Sequence, residues 1–205
     1  ARSRAELAYL EQVEVTLEQA ESLPDLEEVR RELAAEGYVR DHGSRRAGGG
    51  GRRQAGDDRV AAGNRRTAGN GKATGNGTAT GSGKDQSARR PITLRSSDGL
   101  EIWIGRSNRQ NDYLTLKLAG PQDLWFHTKE IPGSHVILRV PPGKEVPERS
   151  LLEAAALAAY HSKARQSSGV PVDYTARKHV RKPAGARPGM VIYDNHKTLW
   201  VTPAP

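Results

Sequence analysis

Residues 123–128 read DLWFHT and residues 134–140 read SHVILRV, two short apolar runs divided by a Pro132-Gly133 step. Aromatic and β-branched residues on either side of a Pro-Gly step predict two paired strands. Working outward, residues 92–95 and 100–105 alternate like two more strands, joined by a turn at Ser97, Asp98 and Gly99. Residues 147–165 carry an Ala/Leu-rich face and a basic last turn, which predicts a helix. Residues 172–180 and 191–203 read as strands, the latter a hairpin turning near residues 194–197. Residues 108–118 have leucines at 114, 116 and 118, a strand-like period. The Asn-x-x-Asn-Asp opening favours a capped helix instead. The expected fold class is α+β, with a mainly antiparallel sheet and two helices.

Upstream the pattern changes. In residues 1–22 the apolar positions Leu10, Val13, Leu17 and Ala20 recur at three- and four-residue steps, with glutamates between them. That is a narrow seam of the coiled-coil kind, and equally one amphipathic helix on a globular surface. Ser22, Pro24 and Asp25 open a second helix with Leu26, Val29 and Leu33 on one face, and Gly37 stands where a C-cap belongs. Residues 41–90 are Gly, Asn, Ser, Thr, Ala and Arg with almost no large apolar side chain. Such a segment buries too little to offset its ordering entropy, so a disordered basic linker is expected there. Its GNGKATGNG string lacks the spacing of a phosphate-binding loop. The expected organisation is therefore 1–40 helical, 41–90 linker and 91–205 the main folded domain.

The 205-residue chain has a formal charge of +8, unevenly spread. Residues 1–40 hold 5 Lys/Arg against 10 Asp/Glu, residues 41–90 hold 11 against 4, and residues 91–205 hold 16 against 10. An acidic helical start thus precedes a basic linker and a basic domain, for which polyanions are the natural partner. Cysteine is absent, which removes disulfides, thiolate metal sites and thiol nucleophiles. No apolar run approaches the ~18 residues of a membrane span. Residues 1–20 are charged and amphipathic, unlike a secretory leader.

Three groups of residues could meet a nucleic acid. Asp123, Trp125 and His127 alternate, so on a strand they share a face. A carboxylate, an indole and an imidazole there could bind and stack on a base or ribose, with Lys129 beyond them. The same trio could instead be structural, with Trp125 in the core and Asp123 fixing the tautomer of His127, or a general-base site. Arg106, Asn108, Arg109, Asn111 and Asp112 cluster at the expected helix start and suit either a phosphate or a capping network. His161, Lys163 and Arg165 end the long helix, where the macrodipole alone favours cations. Arg177, Lys178, His179, Arg181, Lys182 and Arg187 form a denser basic run with no acid, continued by a proline-stiffened loop; phosphate contact is expected there. His127, His135, His161, His179 and His196 lack ligand spacing, so no zinc site is expected. No cofactor is expected, and no nucleophile elbow, paired carboxylates or Walker loop appears.

The strings GRSNRQNDYLTLKLA, DLWFHT, IPGSHVIL, LAAYHSKAR, VDYTARKHVRKPAGARPGMVIY and TLWVTP, in this order, resemble the NFACT-R domain of the NFACT family over residues 91–205. Asp123, Trp125 and His127 match that family's D-x-W-x-H signature, and the first two helices are similar to the end of its coiled-coil middle region. The resemblance implies a cytoplasmic, ribosome-associated RNA-binding module without catalysis of its own. Its implied partners are the large ribosomal subunit, rRNA and tRNA, alanyl-tRNA included. It implies a parent protein that supports C-terminal alanine tailing of stalled nascent chains. Two competing functions stand beside it. One is a cell-surface adhesin, after the family's older fibronectin-binding label. The other is an RNA-acting hydrolase using Asp123 and His127.

Overall fold

The structure, a computed structural model, describes residues 2–40 and 90–205. The expected linker at 41–90 therefore lies outside the described residues, except for Arg90. Two helices, α1 (Arg2–Glu18) and α2 (Leu23–Ala35), precede β1 (Ile92–Arg95) and β2 (Glu101–Ile104). Next come a short helix α3 (Asn108–Tyr113), running into a π turn at Leu114–Leu118, then β3 (Leu124–Thr128) and β4 (Val136–Leu138). The long helix α4 (Glu148–Tyr160) leads to β5 (Val170–Ala176) and a 3-10 turn at Arg177–His179. Three short strands follow, β6 (Val180–Arg181), β7 (Ile192–Tyr193) and β8 (Lys197–Val201).

Six strands form one sheet in the order β1-β2-β4-β3-β5-β8, every neighbouring pair antiparallel. The α+β expectation holds. Alternation along each strand divides the side chains between two faces. One face carries Ile102, Ile104, Phe126, Val136, Leu138, Val170 and Val172 against α4. The helix meets them with Ala154, Ala155, Leu157, Ala158 and Ala159, small side chains that let its backbone approach closely. The opposite face carries Trp125 and Ile137, paired in register, under Leu114 from the π turn and Val180 from β6.

Several details depart from the sequence reading. The expected hairpin at 191–203 does not form: β7 pairs with β6, whereas β8 crosses to β5 in the main sheet. The strand expected at 172–180 breaks at the 3-10 turn, and α4 ends at Tyr160 rather than residue 165. Short strands are set by partners distant in sequence, which local alternation does not reveal. The cap of α3 is Ser107, a residue outside the Asn-x-x-Asn-Asp opening, whose hydroxyl accepts from Gln110 N.

The leucine seam of α1 is out of phase with its buried face. Tyr9, Gln12, Val13 and Thr16 are buried, at helical steps, while Leu10 and Leu17 are 38% and 43% exposed. Tyr9 and Val13 pack on Val29 and Leu33 of α2. The second helix starts and stops where expected, but Leu26 is 45% exposed and only Val29 and Leu33 of its expected face pack. It starts after Ser22 with proline in its first turn, and it ends at Gly37, which takes φ +83°. Tyr38 N donates to Leu33 O and Gly37 N to Ala34 O, a Schellman closure that needs the left-handed residue.

Candidate nucleic-acid interface

Asp123, Trp125 and His127 belong to one short segment but do different things. The Asp123 carboxylate accepts from Gly120 N at 2.7 Å and Val140 N at 2.9 Å, and lies 2.9 Å from the Arg139 guanidinium. It ties a turn to the end of β4 and makes no contact with His127. The carboxylate opposite His127 is Asp173, its cross-strand partner on β5. Asp173 accepts from Tyr193 Oη at 2.8 Å and Thr198 Oγ1 at 2.6 Å. Trp125 is wholly buried, parallel to His127 at 5.7 Å between ring centroids and tilted against Tyr193 at 4.8 Å. Its faces are enclosed, so it does not offer itself to a base. His127 is half-buried, and burial keeps it neutral by pulling its pKa below the usual value.

Within the polar cluster at 106–112, Arg106, Asn108 and the Arg109 backbone meet the second helix. Glu32 of α2 is 1% exposed and receives Tyr9 Oη at 3.1 Å, Asn108 Nδ2 at 2.9 Å and Arg109 N at 3.2 Å. An anion does sit at the start of α3, as backbone amides there favour, and it is the chain's own carboxylate. Arg106 pairs with Asp25 at 3.0 Å. Asn111 Oδ1 accepts from His135 N at 3.1 Å, filling the space left by the missing side chain of Gly105. Asp112 is paired with Lys182.

The same acidic helices engage cations farther along. Lys163 lies 3.3 Å from Glu14 and 4.0 Å from Glu11. Arg187 lies 3.4 Å from Glu36 and 3.6 Å from Glu6, over the rings of Tyr9 and Tyr38. His161 is beside Gln19, with Nδ1 3.2 Å from Oε1. Arg106, Lys163 and Arg187 thus join the two parts of the chain.

What remains open includes a strip along α3 and its π turn. On α3 and its π turn, Gln110, Asn111, Leu114 and Thr115 are buried, while Arg109, Tyr113 and Lys117 are exposed. Beside Lys117, the Arg177 guanidinium donates to Thr115 O at 2.7 Å and Leu116 O at 2.9 Å, which holds the 3-10 turn against the π turn. Lys178, next in the chain, is exposed. Arg181 follows, 64% exposed and paired with the open Asp194; such a pair is worth under about 1 kcal/mol and yields readily to a phosphate. Lys129 is exposed at the end of β3, and Arg165 lies over Tyr160 at 3.9 Å. Among the described residues, Arg109, Lys117, Lys129 and Lys178 make no side-chain ion pair. Tyr113 and Lys117 escaped the sequence reading, although the spacing of Arg109, Tyr113 and Lys117 by four residues was there to find. Among the described residues, no three His, Cys, Asp or Glu side chains converge as metal ligands would.

The buried imidazoles make the fold acid-sensitive. Burial and the charges of Arg165 and Arg106 lower the pKa of His161 to about 4, and burial lowers His127 and His135 as well. A lowered imidazole contributes stability that is present above its unfolded pKa of about 6.5 and is lost as pH falls toward the folded value. Glu32 and Asp112, raised by burial, oppose this trend. His161→Gln isolates one contribution. Between pH 7 and pH 5 the parent should lose about 2 kcal/mol more than this variant in urea unfolding. Equal losses would mean that His161 is not held neutral.

Residues 90–195 match the family model described as the NFACT protein RNA binding domain, and residues 1–48 match that of the NFACT N-terminal and middle domains. The chain is 52% identical over 122 residues to the Rqc2 homolog RqcH of Bacillus subtilis, covering 58% of this chain and 21% of that protein. It is 36% identical over 204 residues to the Rqc2 homolog RqcH of Streptococcus suis, covering 98% of this chain and 29% of that protein. The chain therefore spans less than a third of these relatives. A solved structure of the C-terminal of the fibronectin/fibrinogen-binding protein from Streptococcus suis superposes with a TM-score of 0.71 at 34% identity. That match covers 99% of this chain and 66% of the other.

Proposed function

This chain belongs to the NFACT family and carries its RNA binding domain, and from that premise we propose that it grips structured RNA of an obstructed large ribosomal subunit through its open basic strip. The observation that carries this is the exposed run of Arg109, Tyr113 and Lys117 beside Lys178. Cations on one face neutralise successive phosphates, and an aromatic between them can pack on a ribose or an unpaired base. Lys129, Arg165 and Arg181 extend the field. Arg106, Asn108, Asn111, Asp112, Asp123, Lys163 and Lys182 serve this surface indirectly by holding its supports in place. The RNA is rRNA or tRNA, and within a longer cytoplasmic quality-control factor this module supports alanine tailing by binding and orienting. Bond-making belongs to the ribosome in this reading.

The triple variant Arg109→Ala, Lys117→Ala, Lys178→Ala tests it, with fluorescein-labelled tRNA and anisotropy over a salt series. Each phosphate contact removed lowers the slope of log K against log salt by about 0.7–0.9. The slope should therefore fall by about 2, and affinity near physiological salt by roughly tenfold or more. A variant with parental affinity and slope would refute the strip as the RNA surface.

A further inference from the structure

We propose that the cavity between α1 and the Trp125 face of the sheet receives one unpaired RNA nucleobase, guanine in preference to the others; this rests on the RNA-binding reading above. The cavity is about 320 Å³, at the lower end of the range for small-ligand sites. Its walls include His127, Tyr193, Met190 and Pro132, with Trp125 behind them. No lysine or arginine lines it, whereas Glu11 of α1 and Glu130 do. A phosphate or carboxylate would meet two carboxylates and no cation in the lining, Lys163 lying outside it 4.0 Å from Glu11, so an anionic ligand is disfavoured. A flat uncharged heterocycle suits the site instead.

The rings are arranged for such a guest. His127 is the half-exposed member of a parallel pair whose buried member is Trp125. A base laid on the imidazole would extend that stack, in a cavity that Tyr193, tilted against Trp125, also lines. Burial keeps both His127 and His135 neutral, so neither repels nor requires a charge. The Trp125 indole N–H is buried and finds no acceptor among the described residues. Orphaned buried donors are rare in folded proteins, and one behind a ligand-sized cavity marks a place where a polar guest is accommodated.

The carboxylates supply the selectivity. Guanine presents two adjacent N–H donors on its pairing edge, which match the two oxygens of one carboxylate. Adenine, cytosine and uracil present no such donor pair. The phosphates of the guanine's own strand stay outside, where the open cations of the domain lie. Base insertion therefore adds sequence preference to a grip that otherwise reads only backbone.

The test uses the whole chain with labelled histidine and tyrosine side chains, followed by NMR, and single-stranded RNA pentamers UUGUU, UUAUU, UUCUU and UUUUU. Overall binding is read in parallel by anisotropy. UUGUU should shift His127 and Tyr193 signals saturably, with at least fivefold tighter binding than the other three. Glu11→Gln and Glu130→Gln together should erase that preference without unfolding the chain. Pentamers that bind without moving His127 or Tyr193 would overturn the cavity while leaving the basic strip intact. Equal shifts from all four would overturn the choice of guanine. If none binds even at low salt while tRNA does, this inference falls and the basic strip stands; if tRNA also fails to bind, the two fall together.

Discussion

Trp125→Ala lowers the unfolding free energy by about 3–5 kcal/mol, the cost typical of truncating a large buried aromatic. Trp125 sits in β3 near the middle of the sheet, with no exposed surface. Leu114, Ile137 and Val180 surround it, and His127, His135 and Tyr193 touch its ring. Removing it leaves a cavity between the sheet and the π turn, which together position Lys117. Trp125→Phe should cost much less, about 1–2 kcal/mol, because the indole N–H has no partner to lose. Urea unfolding of the three proteins decides the matter. An alanine variant within 1 kcal/mol of the parent would mean that Trp125 is not the keystone of this face.

The next largest effect is expected at Glu32. Three donors converge on its carboxylate, from Tyr9, Asn108 and the Arg109 backbone. Glu32→Ala strands all three in a buried place, at about 1–3 kcal/mol for each donor that no water reaches. A total of about 3 kcal/mol is expected, concentrated where α2 meets α3. Hydrogen exchange should show lost protection in α1 and α2 ahead of the sheet strands. Glu32→Gln should recover much of the loss by supplying an acceptor without a charge. The pH dependence follows from the raised pKa of Glu32, caused first by burial. A carboxyl raised on folding contributes stability at pH below its unfolded value, and loses it as pH rises through the folded one. The stability of the glutamine variant relative to the parent should accordingly rise from acid toward neutral pH. Unaltered protection of the helices in the alanine variant would show that the contact is incidental.

Much of this was legible in the chain itself. Period-two alternation located β1 to β4, and the Pro132-Gly133 step paired β3 with β4 as found. The Ala/Leu face announced α4, and Gly37 announced the end of α2. The charges were misleading in a specific way. Counting them identifies a basic domain, but pairing depends on chain segments far apart in sequence. Asp25 meets Arg106, Glu14 meets Lys163 and Glu36 meets Arg187 only after folding. Three of the cations that look available, Arg106, Lys163 and Arg187, are thereby engaged in joining the acidic helices to the sheet. The leucines of α1 misled similarly, because the phase of a helix is chosen by what it packs on. Here the sheet and α2 select Tyr9, Gln12 and Val13.

The side chain of Gln12 clasps Gly133 from both sides: its amide donates to the glycine carbonyl, and its oxygen accepts from the glycine N–H at 2.9 Å. A side-chain amide thus stands in for a neighbouring strand. The room is tight, since a Cβ on Gly133 would come within 2.7 Å of Ser162. A helix of 17 residues is a stiff rod of about 25 Å, and this one is bolted near its midpoint. Its heading relative to the sheet is locked like the arm of a protractor, so displacement of its tip would swing the whole sheet rather than slide past it.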